Sequence, residues 1–289
     1  MGQPKDYPVE KWEDFTKLDF ARLVVSPFQL TYIFRGEPKA YPTPLLPSLL
    51  RPSRAPKSAP HLTEAEALDL EKGLTRDFQR DASLQVPVPT PLDDVVTWWL
   101  WMQHYGAPTR LLDWSRSQYV AAYFAVRDHF DEDGFIWALN PHIIPAFRFP
   151  VFPPVELKRQ LLQPGASLEG LALLSHATQT PRMLAQQTMF TCSMRILGEP
   201  HQLIETSFPE SDQRYCRIVI PSHQKMVFLT RLAAMNVTAT SLFPGLEGTA
   251  RAAIESAELF RRFKEGAKRA SARTGPSSGP ESREGEATL

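Results

Sequence analysis

Apolar positions in this chain fall into short blocks of two kinds, some repeating every three to four residues and some alternating or continuous over five or six. Leu30–Arg35 is β-branched and aromatic and predicts a strand that enters a turn at Gly36 before Pro38. Thr63–Arg80 predicts a helix, with Thr63 and Glu66 as a capping box and Leu70, Leu74 and Phe78 on one stripe. Pro91–Tyr105 predicts another, with Thr90 as N-cap, Pro91 as first helical residue and Gly106 as the stop. Arg116–Phe130 is apolar on more than one face and reads as a buried helix. Gly134–Leu139, Phe190–Ile196, Gln202–Phe208 and Cys216–Ile220 read as strands, and Ser222–Met235 and Leu246–Phe263 as amphipathic helices. Helices and strands mix without a strict βαβ repeat. The expected fold class is α+β, a single mixed domain with a central sheet flanked by several helices.

Composition sharpens the boundaries. The chain has 289 residues, 43% of them hydrophobic, enough for one large core. From Lys264 onward large apolar residues almost vanish, so residues 264–289 read as a disordered tail without a catalytic part. That leaves residues 28–263 as the domain and 1–27 as an extension packed on it. Lys+Arg and Asp+Glu both number 32, and no basic run stands out, which disfavours stable duplex nucleic-acid binding. Cys192 and Cys216 form neither a metal pair nor a disulfide framework, so the expected compartment is reducing and no metal is expected. Met1–Glu10 is polar, unlike a signal peptide, and no segment approaches the ~18 apolar residues of a membrane span. The expectation is a cytoplasmic protein without a membrane partner.

The candidate chemistry lies in two places. Gln103–Ser115 gathers Gln, His, Thr, Arg, Asp and Ser between two apolar helices and reads as a loop whose polar groups must be satisfied internally. A structural role would have Asp113 cap the next helix, Arg110 pair with it and Gln103 hold loop carbonyls. The second place is Phe34-Arg35-Gly36-Glu37. Arg at a strand end followed by Gly offers a planar fork for phosphate or carboxylate, although a salt bridge to Glu37 explains it equally. Tyr123 and Phe124 read first as core, and Trp98, Trp99 and Trp101 as packing around a helix. The phosphate-loop, dinucleotide-fingerprint, zinc-protease and serine-hydrolase motifs are absent from the sequence.

The residues Phe34-Arg35-Gly36-Glu37, the QHYG-x-PTRLLDWS run at 103–115, AAYFA at 121–125, AQQ-x-x-FT at 185–191 and LFPGLEG at 242–248 together resemble the FRG-domain family over residues 28–255. Thr188 stands where the family usually has Gly, which draws attention to the backbone at Gln187. A looser similarity links the order Arg35-Gly36, Tyr123-Phe124-Ala125, then Gln186/Gln187 or Glu205 to ADP-ribosyltransferases. That similarity implies an ADP-ribosyltransferase-like fold and a reaction on NAD as co-substrate, by transfer or cleavage, and the FRG-family resemblance implies a toxin or phage-defence setting. The acceptor would be a protein or nucleic acid. It would place Arg35, Gly36, Gln103, Tyr105, Thr109 and Tyr123 around the nucleotide. His104, Arg110, Asp113, Gln187 and Glu205 would act in catalysis, with Asp113 or Glu205 facing the cation that develops on ribose.

Two other readings use the same residues. A non-catalytic module would bind a nucleotide or anion, or a protein partner, without turnover. A scaffold would bury Gln103–Ser115 for stability alone, and Arg110→Ala would then unfold the chain. The catalytic reading predicts Arg35, His104 and Arg110 in one concave pocket.

Overall fold

The structure is a computed structural model that describes residues 5–18, 32–51, 62–86, 89–140, 161–162, 170–174, 180–207 and 215–273. In chain order the elements are β1 (Lys5–Pro8), α1 (Trp12–Lys17), β2 (Ile33–Glu37), α2 (Glu64–Ala82), α3 (Val95–His104), β3 (Leu111–Ser115), α4 (Gln118–Val126), β4 (Gly134–Leu139), β5 (Leu171–Leu174), α5 (Pro181–Ala185), β6 (Thr188–Ser193), α6 (Pro200–Ser207), β7 (Tyr215–Ile220), α7 (Lys225–Ala234), α8 (Ala239–Leu242) and α9 (Leu246–Arg273). The seven strands form one mixed sheet in the order β1-β7-β4-β2-β3-β6-β5. All pairings are antiparallel except β1 with β7. The class is α+β, as the mixture of periods predicts.

Alternation along the strands sorts the core onto two faces. Phe34, Ile136, Ala138, Ile218 and Ile220 point to one face, where they meet α1, α4, α7 and α8. Ile33, Leu112, Trp114, Trp137 and Leu139 point to the other. Trp12 and Phe15 of α1 enter the first cluster, and β1 extends the sheet, so residues 5–18 are integral to the packing.

Helix α4 lies unusually close to the sheet. A Cβ on Gly36 would stand 2.0 Å from the Ala121 carbonyl oxygen, and one on Gly134 would stand 2.3 Å from that of Ala125. Two strand glycines and an alanine-rich helix therefore make one contact, and AAYFA is short of side chains because the backbone of the sheet needs the room. The far end of β2 is tied down by Lys225 of α7, whose Nζ donates to the carbonyls of Pro38, Asp128 and His129 at 2.6, 3.0 and 2.8 Å.

Several elements depart from the sequence expectation. Residues 202–207 belong to a helix, α6, rather than a strand; Ile204 is buried and Glu205 pairs with His201 one turn earlier. Gln103–Ser115 is the end of a helix, a turn at Gly106 with φ +84°, and a central strand. Gly36 continues β2 instead of ending it. Asp94, not Thr90, caps α3, and its side chain accepts from the Thr97 amide. Helix α2 has its expected capping box, but the buried side carries Glu71, Thr75 and Gln79, while Leu70 is exposed. Helix α9 continues to Arg273, ten residues beyond the expected end; residues 274–289 of the expected tail lie outside the described residues, as do Leu30 and Thr31 of the expected strand. Among the described residues no helix is long and apolar enough to cross a membrane, and no group of three or more His, Cys, Asp or Glu is placed to hold a metal ion.

Candidate functional site

Strands β2 and β3 are neighbours that pair through a single Cα register, Phe34 with Ser115. Beyond it they part, and the Arg35 side chain spans the gap: its Nη1 donates to the Asp113 carbonyl at 2.9 Å. A pocket of about 220 Å³ opens there. Its floor is Arg35, Gly36, Asp113 and Ser115; α3 supplies Gln103 and His104, α4 supplies Ala121 and Phe124, and α5 with its C-cap supplies Arg182 and Gln186.

A short polar relay fixes the Asp113 carboxylate. Gln103 Nε2 donates to Asp113 Oδ2 at 2.6 Å, while Gln103 Oε1 accepts from the Thr109 hydroxyl. A carboxylate only accepts, so the amide nitrogen must face it, and that choice leaves the amide oxygen for the threonine. The Thr109 oxygen in turn accepts from the Leu111 amide at 3.2 Å. The acid is thus oriented from a buried residue outward.

At the opposite wall, Arg182 Nη1 donates to the His104 carbonyl at 2.8 Å. Burial lowers the Arg182 pKa, partly countered by Glu247 and Asp113 and reinforced by Arg251 and Arg127. The His104 ring is half-buried, with Nδ1 3.5 Å from the Thr180 hydroxyl. Burial and then the Arg182 charge hold its pKa below the usual imidazole value, so the ring is neutral near pH 7.

Residues 30–134 match the FRG domain family. The chain carries an FRG domain. No curated protein and no solved structure matches the chain. The match contains both halves of the pocket floor, Phe34–Glu37 and Gln103–Ser115, and the FRG domain's Arg-Gly pair has two distinct roles. Arg35 bridges diverging strands, and Gly36 admits α4. Its neighbour Glu37 is buried, accepts from Trp137 Nε1 at 2.9 Å and Arg51 Nη2 at 3.3 Å, and lies 3.5 Å from Arg35 Nε.

Other residues expected at the site lie elsewhere. Arg110 is fully buried just before β3, against α3, where its Nε donates to Glu71 Oε1 at 2.8 Å and its guanidinium stacks 4.9 Å over Trp99. It pairs with α2, not with Asp113, and it does not line the pocket. Burial works against its charge, but the Glu71 carboxylate outweighs that and holds its pKa up. Asp113 does not cap α4; the Ser117 hydroxyl does. Thr109 is buried behind Gln103 rather than exposed to a ligand. Tyr105 points out to solvent, with its ring edge-on to His104. Tyr123 is buried on the outer side of α4 and bonds Glu255 of α9, so Phe124 is the aromatic residue of that motif in the pocket wall.

Gln187 is a turn residue with φ +50° whose carbonyl accepts from the Arg116 amide; Gln186 lines the pocket instead. The left-handed residue therefore sits next to Thr188, the position where the family usually has Gly. Glu205 lies on the other face of the sheet, 3.3 Å from His201.

Arg182 is a pocket residue that the sequence reading passed over, while Phe124, expected as core, and Ser115, the end of the Gln103–Ser115 run, also line it. The local signal there reached only the element: Thr180-Pro181 is an N-cap followed by a first-turn proline, which marks a helix start but not the direction of Arg182.

Proposed function

We propose that the pocket takes one glycosidic moiety of a nucleotide of the NAD type and supports cleavage or transfer at its N-glycosidic bond. The observation that carries this reading is a single oriented carboxylate, Asp113, opposite a neutral imidazole, His104, with arginines at both ends of the cleft. The volume lies below the roughly 300–1,000 Å³ of pockets that hold whole ligands, which favours one ring and its sugar inside and the phosphates at the rim.

In such a reaction the bond between ribose C1 and the nicotinamide nitrogen breaks. Its electron pair leaves with nicotinamide and neutralises the ring cation, while positive charge develops on the ribose. Asp113 is the group positioned to stabilise that charge, because Gln103 already fixes its orientation before the reaction. Water, or the hydroxyl of a protein or nucleic-acid acceptor, then forms the new bond to C1 and gives up a proton. His104, neutral near pH 7, is the base available to take it. Phe124 provides an apolar wall for the departing ring.

The test is nicotinamide release from NAD by the full chain and by Asp113→Asn, with folding matched by circular dichroism. Release by wild type that is lost in a folded Asp113→Asn variant supports glycosidic chemistry. A raised melting temperature with NAD but no release points to a nucleotide-binding module without turnover. Neither release nor a shift overturns the NAD reading.

A further inference from the structure

Next to the pocket, the ring of Phe243 is flanked by two guanidinium groups, Arg182 at 4.6 Å and Arg251 at 4.3 Å. Phe243 also meets Phe124 of the pocket wall edge-on at 6.0 Å, so this cluster borders the cavity directly. Arg127 lies farther along the same ring, at 5.8 Å, and pairs with Asp128 at 3.1 Å. The carboxylate that pairs with both flanking arginines is Glu247, 2.8 Å from Arg251 Nη2 but 3.4 Å from Arg182 Nη1. Glu247 is 45% exposed, and its grip on Arg182 is long. Glu255 is nearby but engaged by the Tyr123 hydroxyl.

We infer that Arg182 and Arg251 form a subsite for the phosphate groups of a nucleotide, with Glu247 as an exchangeable counter-ion. The inference rests on the nucleotide reading of the pocket and adds where the charged part of the ligand lies. Two forks that meet at one Glu247 oxygen present donors to an anion with several acceptor oxygens, which one carboxylate does not saturate. Burial is what presses most on the Arg182 charge; Glu247 and Asp113 oppose it, and Arg251 and Arg127 add to it. The geometry also recruits the segment outside the family match. Arg182, Phe243, Glu247 and Arg251 all follow residue 134, so the FRG core supplies the floor of the site and the C-terminal elements its anion rim.

The experiment measures melting temperature and calorimetric affinity of the full chain with inorganic pyrophosphate, ADP and adenosine. Pyrophosphate and ADP are expected to stabilise the wild type. Arg251→Gln is expected to weaken both by roughly tenfold or more while leaving adenosine unchanged, the loss of a charge-assisted contact. Glu247→Gln is expected to act in the opposite direction and strengthen both, which a merely structural Glu247 would not do. Binding of ADP without pyrophosphate would assign the subsite to nucleotides alone; binding of both would assign it to phosphate in general. No response of pyrophosphate and ADP binding to either variant overturns the subsite. If NAD is cleaved equally by wild type and Arg251→Gln, the subsite fails and the glycosidic reading stands. If pyrophosphate responds as expected but no nicotinamide is released from NAD, the reverse holds.

Discussion

The Arg35 guanidinium donates to the Asp113 backbone carbonyl across 2.9 Å at the place where β2 and β3 stop pairing. A side chain there does the work of a missing ladder bond and leaves room for a pocket between two central strands. Replacing Arg35 by Met removes the bridge and leaves a carbonyl without its donor, at a cost of about 2 kcal/mol in urea denaturation. Asp113→Asn is expected to stay within about 1 kcal/mol of wild type, because the acceptor for Arg35 is main chain and Asn still accepts from Gln103. The pair thus separates fold from chemistry at a single contact; equal stability losses in both variants would contradict it.

Gly36 has no substitute. An added methyl would meet the Ala121 carbonyl at 2.0 Å and the Ala125 amide nitrogen at 2.7 Å, both of them main-chain atoms that cannot rotate away. Gly36→Ala is expected to cost about 3 kcal/mol or more and to lift α4, the element that carries Phe124. A drop in the urea midpoint with loss of nucleotide-induced stabilisation checks it. A Gly36→Ala variant of wild-type stability would refute the close contact.

Arg110 and Glu71 are expected to behave as one unit. Arg110→Met strands a buried carboxylate and should cost roughly 3–5 kcal/mol, enough to unfold a marginal domain. Arg110→Met combined with Glu71→Leu removes both charges and is expected to recover most of that loss, as measured by a double-mutant cycle in denaturant. Additive losses would show that the two do not pair.

The sequence made the fold class and the place of the site legible, because both depend on local pattern. The capping box at Thr63 and the strand at Gly134–Leu139 follow from nearest neighbours alone, and the structure has both. Direction across an element was harder to read. Arg110 and Asp113 are three residues apart in one motif, yet Arg110, just before β3, is buried against Trp99 and paired with Glu71, while Asp113, within β3, reaches Gln103. Those partners come from α2 and α3, and the motif's own sequence does not show which of them each residue meets. Tyr123 and Phe124 show the same effect on a helix, where adjacent residues point about 100° apart and only the second faces the cavity. Glu205 was misplaced because Gln202–Phe208 reads as a strand, whereas residues 202–207 belong to a helix that packs Ile204 into the core.

His104 contributes to the pH dependence of stability. Its folded pKa lies below the ordinary imidazole value of about 6.5, first because the ring is half-buried and then because of Arg182, with Glu247 opposing. The unfolded chain therefore binds the proton more tightly than the folded one. The stability associated with this group is fully present above about pH 6.5 and is lost as pH falls through the folded value. Urea midpoints between about pH 5 and pH 7.5 are expected to fall more steeply on acidification in wild type than in His104→Gln. In Arg182→Gln the imidazole titration followed by NMR should move upward, since a positive neighbour is gone. An unchanged titration in that variant would show that Arg182 does not set the charge of His104, and with it that the two walls of the pocket are electrostatically independent.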